Sequence, residues 1–314
     1  MTRSTTRRRA AFTGALFAAV ALAVTACSSG TTALPGNDAS STASSDSVFA
    51  DAPVAKADLI LSGSTMEKIK KRGKLIVAEA LDAPLLSQQD PTDPNTVSGF
   101  DADLAKLLAI YILGKPNVEI VPPASETREA MLQNGTVDVV FNTYTITEER
   151  AKQVAFAGPY FESGLAVAVK SDNKDIKSEK DLDGKNVIVG ANTPAVTEVP
   201  KIAPTAKLTA FGTDPAAVQA LIQGRGDAYV QDYTLLASDA ASEKQIKVVG
   251  QPFTKEPYGI GLKHGDDDFK SFVNDWLKTI QKDGQWGKAW KTTLGTVTDS
   301  AIPTPPEIGS VPGS

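Results

Sequence analysis

From Lys74 onward the chain repeats one alternation, and that alternation limits the folds open to it more than any other feature. The runs "KLIVAEA", "NVEIV", "VDVVFNT", "GLAVAVK", "NVIVG", "AKLTAF", "DAYVQ", "IKVVG" and "YGIGLK" have the length and branched apolar content of strands. Between them lie "GFDADLAKLLAIYIL", "SETREAMLQNG", "TPAVTEVPKI", "DPAAVQALIQG" and "DYTLLASDAA", which read as helices. In the first of these, Leu104, Leu107, Leu108 and Tyr111 share one face. Strands alternating with helices define an α/β architecture of mostly parallel sheets covered on both faces. A short helix, "STMEKIKKRG", precedes the series, with Ser64 and Glu67 at capping-box spacing and Gly73 as its stop. A long one closes it: Phe269, Phe272, Val273, Trp276, Leu277 and Ile280 recur at 3.6-residue spacing, followed by the helix "QWGKAWKTTLG".

The ends of the chain read differently. Met1 to Arg9 carries four arginines and no acid, and the apolar run Ala10 to Ala26 is shorter than the roughly 20 residues a membrane span needs. This is the pattern of a signal peptide over 1–26. It ends on Val24-Thr25-Ala26-Cys27, which looks like a bacterial lipobox with lipidation at Cys27, the only cysteine. Residues 27–60 and 298–314 are rich in Ser, Thr, Ala, Pro and Gly, and read as a flexible lipid-anchored tether and a flexible tail. About 240 residues of ordinary globular composition remain, enough for two lobes. Loss of the four leading arginines takes the net charge from −5 to −9, which argues against nucleic acid as a partner.

In α/β sheets, ligands sit beyond the carboxyl ends of strands, where helices begin. Three such junctions carry polar groups: Asn142 to Arg150, Asn192 to Thr193, and Gln231 to Asp232. In "NTYTITEER", Thr145 and Glu148 stand at capping-box spacing, yet Arg150 falls in the first helical turn, where the dipole favours negative charge. Thr143, Thr145 and Arg150 together make a carboxylate receptor, a helix start plus a guanidinium able to bind through two parallel bonds. A capping Thr and a surface Arg are the plain alternative. Asp232 is either an N-cap or a carboxylate facing an ammonium group. Thr193 either caps the helix that Pro194 opens or donates to a ligand. Arg128, taken alone, is a solvated helix residue, with Ala130, Met131 and Leu132 supplying the core contacts. His264, the one histidine, lies in the polar turn "KHGDDD" with no second His or Cys close by, so no metal site is expected. Trp286 and Trp290, four apart, read as packing. No nucleophile elbow, zinc-protease helix, P-loop or dinucleotide fingerprint occurs, and neither catalysis nor a cofactor is expected.

Taken in order from Gly73 to Gly295, "GKLIVA", "GFDADLAKLLA", "REAMLQNGTVDVV", "TITEER", "VAFAGPY", "DLDGKNVIVG", "GRGDAYVQD" and "YGIGLKHGD" resemble the family-3 extracellular solute-binding proteins of polar amino-acid ABC importers. The resemblance implies a type II periplasmic-binding-protein fold: two α/β lobes joined by two crossover strands near Phe161 to Gly164 and Phe253 to Tyr258. Lobe one would comprise 61–161 and 258–297, and lobe two 162–257. By position, Arg150 matches the arginine that clamps the ligand α-carboxylate, and Thr143, Thr145 and Thr193 match its donors. Asp232 matches the acid that takes the α-ammonium. Arg128 resembles the arginine that takes the side-chain carboxylate in glutamate/aspartate-type members. The second arginine those members carry after the first strand is missing, and Glu79 and Asp82 stand in that stretch instead. Glutamate and glutamine rank close together, with aspartate and asparagine behind. The implied role is capture of an amino acid outside the cell by a lipid-anchored monomer, and its delivery to a permease driven by an ATPase. Two alternatives share the fold: a sensor feeding a signalling partner, and a dehydratase acting on a cyclic acid.

Overall fold

The computed structural model describes residues 46–297 and 301–314. The signal segment, Cys27 and the tether up to residue 45 lie outside the described residues. Helices α1 (Asp46–Phe49) and α2 (Thr65–Arg72) precede strand β1 (Leu75–Ala78). A small antiparallel meander follows, made of β2 (Asp82–Ala83), β3 (Ser87–Gln89) and β4 (Val97–Ser98), and then the long helix α3 (Phe100–Leu113). Next come β5 (Val118–Val121), α4 (Arg128–Gln133), β6 (Val139–Val140), α5 (Glu148–Ala151) and β7 (Ala155–Ser163). The chain then enters a second sheet, running through β8 (Leu165–Lys170), β9 (Asn186–Gly190), α6 (Ala195–Ile202), β10 (Lys207–Phe211), α7 (Asp214–Ile222), β11 (Ala228–Asp232), α8 (Tyr233–Ser242) and β12 (Ile246–Val249). It returns to the first sheet with β13 (Glu256–Leu262), and α9 (Asp267–Lys282) and α10 (Gln285–Thr292) complete the first lobe.

The first sheet has the order β5-β1-β6-β13-β7 and the second β10-β9-β11-β8-β12. Each is half parallel rather than mostly so: β1 runs parallel to β5 and β6, but β13 is antiparallel to β6 and β7. In the second sheet β9 runs parallel to β10 and β11, and β8 is antiparallel to β11 and β12. The antiparallel strands are those next to the two crossings, where no helix intervenes to return the chain in the same sense. The crossing segments touch. Leu165 N donates to Thr254 Oγ1 (2.8 Å) and Phe253 N donates to Leu165 O (2.9 Å). At Gly164 a Cβ would lie 2.3 Å from Thr254 O, so only glycine lets the two strands pass this closely.

Helix α9 buries all six of its periodic apolar residues against the first sheet. That burial contributes roughly 10–15 kcal/mol of gross hydrophobic stabilisation. Helix α3 is buried on nearly every side, beyond the single face its periodicity predicts, because α2, α9, α10 and the meander all pack around it. Trp286 (2 % exposed) packs as expected, and its Nε1 donates to Tyr160 O (2.8 Å).

Both supposedly loose segments pack in part. Val48 is fully buried in the first-lobe core, and Ala55 N donates to Tyr111 O (2.8 Å). Beyond 300, Ile308 and Val311 pack against first-lobe clusters, and Gly309 N donates to Gly158 O (2.8 Å). A few well-placed apolar residues outweigh the polar composition of these stretches.

Candidate functional site

A cavity of about 390 Å³ opens between the lobes, within the range of small-molecule sites, about 300–1,000 Å³. It brings together Thr143, Thr145, Arg150, Arg128, Thr193 and Asp232, residues spread over more than 100 positions of sequence.

Thr143 has a left-handed backbone (φ 43°), held because its N–H donates to Asp101 Oδ2 (2.9 Å). Asp101 lies in the first turn of α3, and its Oδ1 accepts from Tyr160 OH (2.8 Å). Burial pushes the Asp101 carboxyl up to about 6 despite both bonds. This helix starts at Gly99 (φ 134°), where a Cβ would sit 2.3 Å from the Leu86 backbone. No other residue fits that turn.

Arg150 is buried, 6 % exposed. Its Nη1 donates to Thr145 O (2.8 Å), its Nη2 to Asn192 O of the second lobe (2.5 Å), and its Nε lies 3.6 Å from Glu129 Oε1. The local capping differs from the expected box: Thr147, not Thr145, caps α5 and accepts from Arg150 N, so Thr145 remains at the cavity wall. Arg128 lies beside it. Both guanidinium groups stand over the Tyr144 ring, at 4.5 and 4.8 Å. Arg128 Nε donates to Ser125 O (3.0 Å) and its Nη1 to Asn142 O (3.2 Å). Arg128 is therefore not a solvated helix residue. In α4 the apolar expectation holds for Leu132 and Met131, which pack in the core, but Ala130 is exposed while Arg128 and Glu129 are buried, because that face of the helix meets the second lobe.

Across the cleft, Asp232 is indeed the N-cap of α8. Its Oδ1 accepts from Thr234 N (2.9 Å), Leu235 N (3.4 Å), Ser163 Oγ (2.9 Å) and Tyr258 OH. Its Oδ2 is buried and has no hydrogen-bond partner. Burial raises this carboxyl to about 7, with the bonds from Tyr258 and Ser163 pulling against it. The cap thus uses one oxygen and leaves the other without a partner. Thr193 also lines the cavity but does not cap α6: Pro194 takes the cap position, and Thr193 Oγ1 donates to Gly190 O (2.8 Å).

Asn192, at the polar junction before Thr193, and Glu129, which no local pattern marks, tie the lobes together. Asn192 (φ 54°) donates from Nδ2 to Glu129 Oε2 (3.2 Å) and Ser125 O (3.4 Å). Glu129 in turn accepts from Tyr144 OH at Oε1 (2.7 Å). Ser125 N donates to Gly212 O (3.2 Å), a further contact from first lobe to second. Among the described residues, no helix is long and apolar enough to cross a membrane, and no group of three or more His, Cys, Asp or Glu is placed to hold a metal ion.

Two lobes on separate sheets, two crossing strands and a polar cavity between them with a cationic and an anionic wall define a binding protein that closes on a small solute. The chain belongs to the bacterial extracellular solute-binding proteins, family 3, whose model matches residues 75–296. It is 42 % identical over 214 residues to a glutamine-binding protein of Geobacillus stearothermophilus, covering 67 % of this chain and 81 % of that one. To the glutamate-binding protein GluB of Corynebacterium glutamicum it is 33 % identical over 238 residues, covering 72 % and 80 %. Among solved structures, an ancestral arginine-binding protein bound to glutamine superposes with a TM-score of 0.66 at 38 % identity, covering 71 % of this chain and 99 % of that one.

Proposed function

We propose that this chain is the substrate-binding component of an ABC importer, capturing a polar amino acid outside the cell and passing it to a membrane permease and its ATPase. Glutamine or glutamate is the favoured ligand, and no chemistry is done on it. One observation carries the reading: Arg150, with a helix start beside it, and Asp232, whose Oδ2 has no partner, line one cavity between the lobes. In this reading Arg150, Thr143, Thr145 and Thr193 hold the α-carboxylate, Asp232 holds the α-ammonium, and Arg128 stands beside the carboxylate clamp. Opposite charges so spaced select a zwitterion, each charge-assisted bond contributing about 1.5–3 kcal/mol. Ligand stabilises the closed pair of lobes, and the Asn192 contacts supply part of the closed-state interface. The names of the relatives support both the ligand class and the importer role.

The chain works as a monomer, held to the outer face of the membrane by lipid on Cys27, a proposal that rests on "VTAC" alone. A thermal-shift panel over the twenty amino acids tests the central claim, since ligand adds RT ln(1 + [L]/Kd) to stability. No stabilisation by any of them would sink it. Cys27→Ser should move the expressed protein from the membrane fraction to the soluble one.

A further inference from the structure

Given the amino-acid-binding reading above, the rest of the second-lobe floor can be assigned. Four residues form a hydrogen-bond chain leading away from the ammonium site. Asp232 N donates to Gln231 Oε1 (3.0 Å), Gln231 Nε2 to Tyr229 OH (3.1 Å), and Tyr229 OH to Asp214 Oδ1 (2.6 Å). Asp232, Gln231 and Asp214 all line the cavity.

The chain ends on an unsatisfied group. Asp214 Oδ2 is buried without a partner, and so is Oδ2 of Asp239, a residue of α8 that is 6 % exposed. The two carboxyls stand within hydrogen-bond reach of each other. A single shared proton satisfies the contact: burial raises both carboxyls, and the charge of Asp214 pushes that of Asp239 further, up to about 9. The pair then carries one negative charge, with Asp214 presenting acceptor capacity at the cavity wall. Asp82, in β2 of the first lobe, lines the same cavity, its carboxyl exposed, and β2 packs against α8. Among the described residues, none of these three acids forms an ion pair with a Lys, Arg or His. The two cavity arginines are instead gathered over Tyr144.

We propose that Asp214, backed by Asp239 and faced by Asp82, reads the ligand side chain, accepting one that ends in an N–H donor, an amide first, and rejecting one that ends in a carboxylate. A terminal amide donates to Asp214 and neutralises no charge it needs. A terminal carboxylate placed against Asp214 meets the like charges of that pair and of Asp82, and a site built for a donor rejects a group that lacks it. Asp214 thus adds a determinant on the second lobe to the choice between glutamine and glutamate.

The test is calorimetry of the purified chain with L-glutamine and L-glutamate at pH 7.5, on the wild type, Asp214→Asn and Asp82→Asn. The wild type should prefer glutamine on the order of 100-fold, and Asp214→Asn should narrow that ratio about tenfold, the size of one charge-assisted contact. Circular dichroism checks that the variant folds; should it not, Asp82→Asn must narrow the ratio in the same direction. A wild type that prefers glutamate overturns the assignment, as does a ratio unchanged in whichever variant folds. Binding of neither ligand, nor of any other amino acid, would bring down the amino-acid reading itself and this assignment with it.

Discussion

If Asp232 takes the ligand ammonium as proposed, its charge state should make affinity pH-dependent in a range where the ligand itself does not titrate. The carboxyl titrates near 7 because it is buried, and only its anion pairs with an ammonium group. Binding through that pair selects the ionised form, so the apparent dissociation constant is the intrinsic one divided by the ionised fraction. A group titrating at 7 is about 91 % ionised at pH 8 and about 9 % at pH 6, so affinity should fall about tenfold between them. Glutamine keeps its zwitterionic head group throughout this interval, so the slope belongs to the protein. Binding at pH 7 should also release about half a proton, visible as a calorimetric enthalpy that depends on the buffer. Asp232→Asn keeps an oxygen to cap α8 but loses the anion. It should weaken binding roughly 10- to 100-fold, the span of a charge-assisted bond, and flatten the slope. Isothermal titrations at pH 6, 7 and 8 on both proteins settle the matter. A wild-type constant that is flat over that range, or a slope that survives Asp232→Asn, refutes the assignment.

Four further substitutions probe other links. Arg150→Lys keeps the charge but not the fork that reaches Thr145 O and Asn192 O, and should weaken binding at least about 30-fold in the same titrations while the melting curve stays cooperative. Asn192→Ala removes two contacts between lobes; it should speed ligand release about two- to tenfold in stopped-flow, with little effect on association. Asp239→Asn can still donate to Asp214. A carboxyl raised by folding contributes stability that is full below its unfolded value near 4 and is lost as pH rises towards 9, so this variant should melt higher than wild type at pH 8, and equally at pH 4. Gly99→Ala drives a Cβ into the Leu86 backbone at a positive φ and should cost upward of about 3 kcal/mol by urea denaturation.

The alternation of strands and helices carried most of the architecture, because a buried parallel strand and an amphipathic helix leave signatures within a single window. The α9 face is legible for that reason: its six apolar residues need no distant partner to be recognised as one surface. The meander β2-β3-β4 was not, since its strands are two or three residues long and its register comes from pairing rather than from pattern. The antiparallel strands beside the crossings escaped notice for a related reason. Strand direction is a property of how the chain returns, and "GLAVAVK" reads the same either way.

The site divides along the same line. Arg150 and Asp232 were findable because each sits at a strand-to-helix junction, where local geometry already aims side chains at a cleft. Thr147 rather than Thr145 caps α5, a shift of two residues that propensity cannot resolve, since both are threonines with acids three positions on or nearby. Glu129 and Asp214 carry no local signature, and Asn192, though it stands at a polar strand-to-helix junction, gives no sign of its partner. Glu129 and Asn192 stand 63 positions apart and become partners only because one lobe folds down on the other. Their burial is burial of polar groups, which hydrophobic periodicity scores as surface. Arg128 and Glu129 show the consequence: a charged pair opening a short helix looks solvated in sequence, yet it is the face of α4 that meets the second lobe. In a protein whose two lobes close on a ligand, the residues that control closure must be polar enough to face water when apart and paired enough to be buried when together. That double requirement is what removes them from any single-window pattern, and it places them at the same contact where Arg150 reaches across to Asn192.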